Sequence, residues 1–206
     1  MRTRTNASLA MGALACLAAL TAGCAGDYLT RDRSSSMLVI DILEGTSGST
    51  GNQAGTLESD VQTFVDDSPT ATVFSDAGVV TVRAIMKNPG TPESPVAPTE
   101  LNTITITRYR VTFRRADGRN TPGVDVPHPF DSGTTFSVSP GTIRTHTFEL
   151  IRHTAKLEAP LAGLSFSPVI ISTIADITFF GQDQAGNAVS VTGSLGVLFG
   201  DFGDPD

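Results

Sequence analysis

Apolar and polar residues alternate with a period of two over several stretches of this chain, which is the spacing of a β-strand with one buried face. The longest such stretch follows residue 187, and its apolar positions share one side: Val189, Val191, Leu195, Val197 and Phe199. Gly193 interrupts that side, which predicts a bulge or the close approach of another strand. Residues 79–88 alternate in the same way, and we expect them to bury Val80, Val82, Ala84 and Met86.

Residues 102–118 also alternate, but the phase changes midway. Ile104 and Ile106 share one parity, whereas Tyr109, Val111 and Phe113 share the other. A β-bulge or a crossover near residues 107–108 would bring both sets to the core, because one extra residue moves every later side chain to the opposite face.

Further strands are predicted at residues 37–43, 134–138, 142–151 and 169–182, the last being apolar on both faces as a central strand is. Residues 57–74 are ambiguous, and residues 153–168 are expected to hold one helical turn or a loop. About eight strands and no long helix favour an all-β sandwich over residues 37–203, with long loops.

Prolines recur at every third position of the segment that follows residue 88: Pro89, Pro92, Pro95 and Pro98. This spacing would align them along one edge of a polyproline II helix. Two interpretations follow, a peptide ligand for an aromatic groove or a stiff loop between strands.

The turn at residues 183–187, DQAGN, lies between an apolar strand and an alternating strand. This arrangement resembles the closing hairpin of bacterial immunoglobulin-like domains, which often carry Asp-x-Ala-Gly-Asn. Asp183 is expected to accept hydrogen bonds from turn amides, while Gly186 and Asn187 tolerate positive φ. The resemblance implies an immunoglobulin-like or fibronectin-like antiparallel β-sandwich, a fold that hosts many functions.

The first 23 residues have the layout of a secretory signal peptide. Arg2 and Arg4 precede fifteen uncharged residues, 7–21, which are mostly Ala, Leu and Met. A helix of that length spans about 22 Å, short of the ~30 Å hydrocarbon core of a bilayer. We therefore predict a signal peptide at residues 1–23 that is cleaved rather than retained as a membrane span.

Residues 20–24, LTAGC, place Ala22 and Gly23 directly before Cys24 and resemble the lipobox of bacterial lipoproteins. The resemblance implies lipidation of the Cys24 sulfur, palmitate among the acyl chains, and signal cleavage between Gly23 and Cys24. The alternatives are an ordinary signal peptide with an incidental cysteine, and a free or metal-binding thiol. Residues 24–36 are then lipid anchor and flexible tether, and residues 204–206 an acidic tail. Because Ala25 rather than Asp follows the cysteine, the sorting rule of enteric lipoproteins favours the outer over the inner membrane.

Composition and charge exclude two function classes. The chain has a net charge of −7 without a basic run, so it lacks the positive surface that binds nucleic acid. Cys16 and Cys24 are its two cysteines, which leaves no pair for a disulfide or thiolate zinc site after the signal peptide. The chain has no Trp, and its tyrosines are Tyr28, in the tether, and Tyr109, expected in the core; carbohydrate binding is therefore not expected.

No catalytic, metal or cofactor motif stands out, and we expect no cofactor and no enzyme activity. The histidines are His128, His146 and His153, which we interpret as structural or solvated. Two acidic segments, 66–67 and 200–206, either bind Ca²⁺ weakly or are solvated turn and tail acids. The leading hypothesis is a lipid-anchored, non-catalytic binding, adhesion or assembly module with a protein partner in the envelope. The alternatives are a secreted enzyme with a loop-built site around His128 and Asp131, and a structural subunit of an envelope complex.

Overall fold

A computed structural model describes residues 33–65 and 69–203 of the chain. Several sequence-based expectations lie outside these residues: the signal peptide, the Gly23–Cys24 cleavage and lipidation site, most of the tether, the acidic pair at 66–67, and the tail at 204–206.

The described residues form two packed sheets, a small hairpin and three short helical turns. In chain order the strands are β1 (Ser36–Thr46), β2 (Gln53–Ala54), β3 (Thr56–Asp60), β4 (Asp76–Met86), β5 (Gly90–Thr91), β6 (Ser94–Pro95), β7 (Ile104–Arg114), β8 (Phe130–Val138), β9 (Ile143–Ile151), β10 (Ile171–Asp183) and β11 (Ala188–Gly200). Helix α1 is His153–Lys156, and 3-10 turns occupy Glu100–Asn102 and Leu161–Leu164.

The sheets have the strand orders β2-β1-β4-β9 and β3-β11-β10-β7-β8, and β5 pairs with β6. Apolar side chains from both sheets fill the space between them, with Phe179, Phe199, Ile104, Ile177 and Val80 among the largest that are fully buried. The prediction of an all-β sandwich is confirmed. Of the two alternatives for residues 153–168, one helical turn or a loop, the structure has helical turns, two in number: α1 and the Leu161–Leu164 turn.

One strand pair departs from the expected antiparallel arrangement. β3 runs parallel to β11, with Thr56 opposite Gly196 and Asp60 opposite Gly200. After β1 the short strand β2 carries the chain back, and β3 then crosses to the edge of the other sheet and runs in the direction of β11. This crossover was not predictable, because residues 57–74 lack a clear alternation.

The phase change in β7 is confirmed as a bulge. Against β10, Phe180 lies opposite Arg108 and Gly181 opposite Ile106, so β7 carries one extra residue, Thr107. As a result Ile104 and Ile106, before the shift, and Tyr109, Val111 and Phe113, after it, are all buried.

Three finer expectations are wrong. The chain reverses between Thr91 and Ser94 to form the β5–β6 hairpin, so the four prolines do not follow one continuous polyproline II edge. Met86 is half-buried rather than buried because β4 ends there. β10 buries one face only, and its other face carries residues such as Asp176 and Thr178.

The sandwich has two distinct ends. At the entry end, where the chain enters β1, Ser35 accepts hydrogen bonds from the Lys87 backbone amide and the Asn102 side chain. At the far end, β1, β7 and β11 finish and β4 and β10 begin. The segment between β9 and β10, which includes α1, also lies at the far end.

Candidate functional site

The enzyme alternative placed a site around His128 and Asp131. Asp131 lies exposed on β8, where Arg110 Nη2 contacts its Oδ2 at 2.7 Å and Arg108 Nη1 contacts its Oδ1 at 2.9 Å. The hydrogen bond from Arg110 lowers the pKa of Asp131. The imidazole of His128 packs over Gly123, where a Cβ atom would collide with the ring. Each residue therefore has a local structural role. Asp131 forms ion pairs with two arginines of β7, and the ring of His128 packs against the tight turn at Gly123.

The other two histidines also have separate environments. His146 is half-buried, stacks on Phe136 with ring centroids 4.3 Å apart, and has its Nε2 2.6 Å from Thr134 Oγ1. Burial, assisted by Arg144, lowers the pKa of His146. His153 is exposed at the start of α1.

The outer face of the five-stranded sheet carries three arginines whose charges are largely compensated within the sheet. Besides the pairs with Asp131, Arg114 Nε contacts Asp176 Oδ2 at 2.6 Å, and Ser194 donates to the same carboxylate. Arg108 also lies over the ring of Phe180, 3.8 Å from its centroid. This face offers few uncommitted charged groups to a partner.

The far end holds a buried polar cluster that the sequence did not predict. Lys156 Nζ lies 2.8 Å from Asp76 Oδ2, and both side chains are excluded from solvent. The Gly48 amide donates to Asp76 Oδ1 at 2.8 Å, and Ser59 Oγ donates to Oδ2 at 2.6 Å. Lys156 Nζ also donates to the main-chain oxygen of Asp60 at 2.7 Å. These bonds fasten the segment after β9 to the start of β4 and the end of β3.

Two further carboxylates hold the neighbouring loops in place. Asp201 Oδ2 accepts hydrogen bonds from the Phe166 amide at 2.5 Å and from Gln62 Nε2 at 3.2 Å. The carboxylate of Asp60 accepts from Thr63 Oγ1 at 2.8 Å and from the Phe202 amide at 3.2 Å. Burial raises the pKa of Asp60 despite these bonds. The loops of the far end are therefore ordered by polar contacts to the sandwich.

The ordered loops of the far end carry a group of apolar side chains that lie at the surface. We call this group the apolar rim: Phe64, Phe166, Val169, Ile170 and Phe202. Phe166 is 79% exposed, and its ring centroid lies 6.3 Å from that of Phe64. Ile170 and Phe202 flank Gly200, and a Cβ atom there would lie 3.3 Å from both side chains. Val169 and Ile170 are more than half exposed.

Phe166 has a backbone φ of 58°, a left-handed conformation that is costly for an aromatic residue. The hydrogen bond from its amide to Asp201 holds this conformation and leaves the ring in solvent. Exposed contiguous apolar side chains mark interaction surfaces more often than isolated ones do.

A polar crevice of about 480 Å³ adjoins the rim at Phe202. Its lining includes Ser47, Ser49, Thr50, Asn52 and Asp60. Hydroxyl and amide groups there can exchange hydrogen bonds with the backbone of a bound segment. The far end thus combines an apolar surface with an adjacent polar one, as the core and border of protein interfaces do.

Comparison with known proteins identifies no relative: no protein-family model matches the sequence, and no curated protein matches it. Across residues 33–65 and 69–203, no group of three or more His, Cys, Asp or Glu side chains is arranged to hold a metal ion. Within the same ranges, none of the helices has the length and apolar character needed to cross a membrane.

Sequence reasoning missed the whole far-end arrangement. Lys156 follows Ala155 and precedes Leu-Glu in an irregular segment, a context typical of an exposed lysine. Phe166 stands between two serines without a periodic neighbour. The one available signal in the sequence was an aromatic residue, Phe166, among serines and a proline. It indicates a surface only once the contacts around it are known.

Proposed function

We propose that this chain is a lipid-anchored protein of the cell envelope, in the outer membrane, whose immunoglobulin-like sandwich is a non-catalytic binding, adhesion or assembly module. Lipid on Cys24 holds it to the membrane, and its partner is another protein of the envelope. The apolar rim is the surface that contacts this partner.

The immunoglobulin-like type draws support from the strand order and the closing hairpin. The amino-terminal part of the chain contributes β1 to one sheet and β3 to the other, beside β11, so both sheets share this region. In the hairpin, Asp183 Oδ1 accepts hydrogen bonds from the amides of Ala185 at 3.0 Å and Asn187 at 2.9 Å, while Gly186 has φ of 84°. These are the roles expected of Asp183 and Gly186 in the Asp-x-Ala-Gly-Asn turn, whereas Asn187 does not have a positive φ.

The orientation of the sandwich follows from where the tether joins it. The chain enters β1 at Ser36, beside Lys87 and Asn102, at the end opposite the apolar rim. The thirteen residues of β10 run between the two ends and span about 40 Å at ~3.3 Å per residue. A lipid on Cys24 therefore joins the membrane to the entry end of the sandwich, and the far end is the end more distant from the point of attachment.

The observation that carries the proposal is the apolar rim. Its side chains are held outward by Asp201, Asp60 and the buried Lys156–Asp76 pair. Three of them expose more than half of their surface, although burial of each in a contact would contribute roughly 1.5–3 kcal/mol. Ordered apolar side chains that point to solvent beside a polar crevice suit a protein contact.

The test uses two matched valines. Val169 in the rim is 55% exposed, and Val96 at the entry end is 50% exposed. Each is replaced, in the full chain produced in cells, by a photo-crosslinking amino acid. We expect light to join position 169 to one defined envelope protein and to leave position 96 without that product. Equal products from both positions, or none from position 169, would contradict the proposal.

A further inference from the structure

The buried pair of Lys156 and Asp76 is more than an attachment for α1. Lys156 is the last basic residue of the chain, and one of its two lysines. Its ammonium group and the Asp76 carboxylate are both excluded from water and lie 2.8 Å apart. Burying two charges is costly, and removing them from the interior is favourable when the polar groups left behind stay hydrogen-bonded.

From this arrangement we propose that Lys156 and Asp76 join covalently, through an amide bond between Nζ and Cγ. The far end would then hold an intramolecular cross-link between α1 and β4. Three contacts place the groups that such a condensation needs: a nucleophile beside the carboxyl, a donor on the oxygen that becomes negative, and a donor on the oxygen that leaves.

The reaction requires no oxidant or external reagent. A proton first passes from Nζ to Oδ2 within the ion pair, which gives a neutral amine and a carboxylic acid. Nζ then attacks Cγ to form the C–N bond. The second proton moves from the nitrogen to Oδ2, with the Ser59 hydroxyl as relay, and the Cγ–Oδ2 bond breaks to release one water molecule.

The surrounding donors fit these steps. Ser59 Oγ is 2.6 Å from Oδ2, the leaving oxygen. The Gly48 amide, 2.8 Å from Oδ1, is fixed by the backbone and stabilises the negative charge that develops on this oxygen during attack. The Asp60 main-chain oxygen, 2.7 Å from Nζ, holds the amine against the carboxyl.

The product satisfies its hydrogen bonds with groups already in place. The new amide nitrogen keeps one hydrogen, which donates to the Asp60 oxygen, and the new carbonyl oxygen accepts from Gly48. The buried charges disappear, so the desolvation cost of the pair disappears with them. This inference concerns the far-end frame and goes beyond the proposed partner binding, since it holds whether or not the rim has a partner.

Trypsin digestion with mass spectrometry tests the cross-link on the full chain, expressed with its own signal peptide and purified from membranes in detergent. Trypsin cuts after Arg33 and Arg83, which isolates Asp76 in peptide 34–83. It cuts after Lys156 only if that amine is free, and peptide 157–206 is then released because no basic residue follows.

We expect peptide 34–83 joined to peptide 153–206, with a mass lower than the sum of the two by one water, and loss of the free peptide 157–206. Fragmentation should place the junction at Asp76 and Lys156. Lys156→Arg is the matched control: it keeps the positive charge, and trypsin should release peptides 34–83 and 157–206 separately. Their separate release from the unmodified sequence, at unaltered mass and without the joined species, would overturn the proposal even if the variant fails to fold.

Discussion

Gly193 of β11 lies against Ile40 of β1 across the interior of the sandwich, so closely that a Cβ atom at position 193 would be 2.9 Å from Ile40 Cδ1. Leu43 Cδ2 would be equally close. The ladder between β10 and β11 continues without a shift through Gly193, which pairs with Ile177. Of the two explanations offered by the sequence for this glycine, close approach of another strand is confirmed and a bulge is wrong.

Gly193→Ala should destabilise the protein by about 1–3 kcal/mol, because an added methyl group overpacks the contact between the sheets. Urea denaturation of the purified protein measures this change. Gly133 in β8 is the matched control, since a Cβ there would have no atom within 4 Å. Gly133→Ala should change the unfolding free energy by less than about 0.5 kcal/mol. Equal effects of the two substitutions would contradict the packing described.

Tyr109→Phe should cost about 0.5–1.5 kcal/mol of unfolding free energy. The phenol is 2% exposed and donates a hydrogen bond to the Glu149 main-chain oxygen at 2.9 Å, which joins β7 of one sheet to β9 of the other. The ring itself packs on Phe148 with centroids 5.0 Å apart, and Phe preserves that contact. An unchanged urea midpoint in Tyr109→Phe would show that this hydrogen bond adds no net stability.

The unfolding free energy should depend on pH through the carboxylate of Asp183. Burial raises the pKa of Asp183, but hydrogen bonds from Asn187, Ser34 and Ala185 outweigh burial and hold it below its ordinary value. The unfolded chain therefore binds the proton more readily, so the stabilisation is present above about pH 4 and is lost as pH falls through the lower pKa of the folded state. The variant Asp183→Asn lacks this pH-dependent stabilisation.

Unfolding free energies of the two proteins at a series of pH values provide the measurement. The advantage of the natural sequence over Asp183→Asn should be largest near neutral pH and should shrink as pH falls below about 4. An advantage that stays constant over this range would contradict the assignment.

Removing one member of the buried pair should destabilise the far end strongly. Lys156→Met lacks the amine that the proposed cross-link needs, so Asp76 stays a carboxylate with no cation beside it in a site closed to water, at a cost of about 3–5 kcal/mol. Combining Lys156→Met with Asp76→Asn should recover part of that loss, since the buried negative charge is also removed. Thermal or urea unfolding of the single and double variants gives the comparison, and a double variant as unstable as the sum of the single changes would contradict it.

The sheets were largely predictable because their residues alternate, while the connections were not. Val189, Leu195, Val197 and Phe199 are buried as the alternation of β11 predicts. The bulge in β7 was also predictable, because two sets of apolar residues of opposite parity can reach one core only through an extra residue. The Asp183 turn was predictable from local chemistry, because the amides of Ala185 and Asn187 that donate to Asp183 belong to the same five-residue turn.

The far end was not predictable because its contacts join residues distant in sequence. Lys156 and Asp76 are paired only after β4 and α1 meet at that end. Phe166 becomes an exposed surface residue through the hydrogen bond from its amide to Asp201, a residue that follows β11. Neither contact has a periodic signature, since both depend on side-chain chemistry in loops.

The proposal as a whole depends on attachment at Cys24, because that attachment tethers the entry end of the sandwich and leaves the far end free of the tether. The most direct measurement is metabolic labelling with palmitate, followed by membrane fractionation, of the natural sequence and of Cys24→Ser. We predict that the natural sequence is labelled and found in the membrane fraction, whereas Cys24→Ser carries no label and any exported protein is released. Labelled Cys24→Ser that stays with the membrane would contradict the anchoring, and with it the tethering of the entry end.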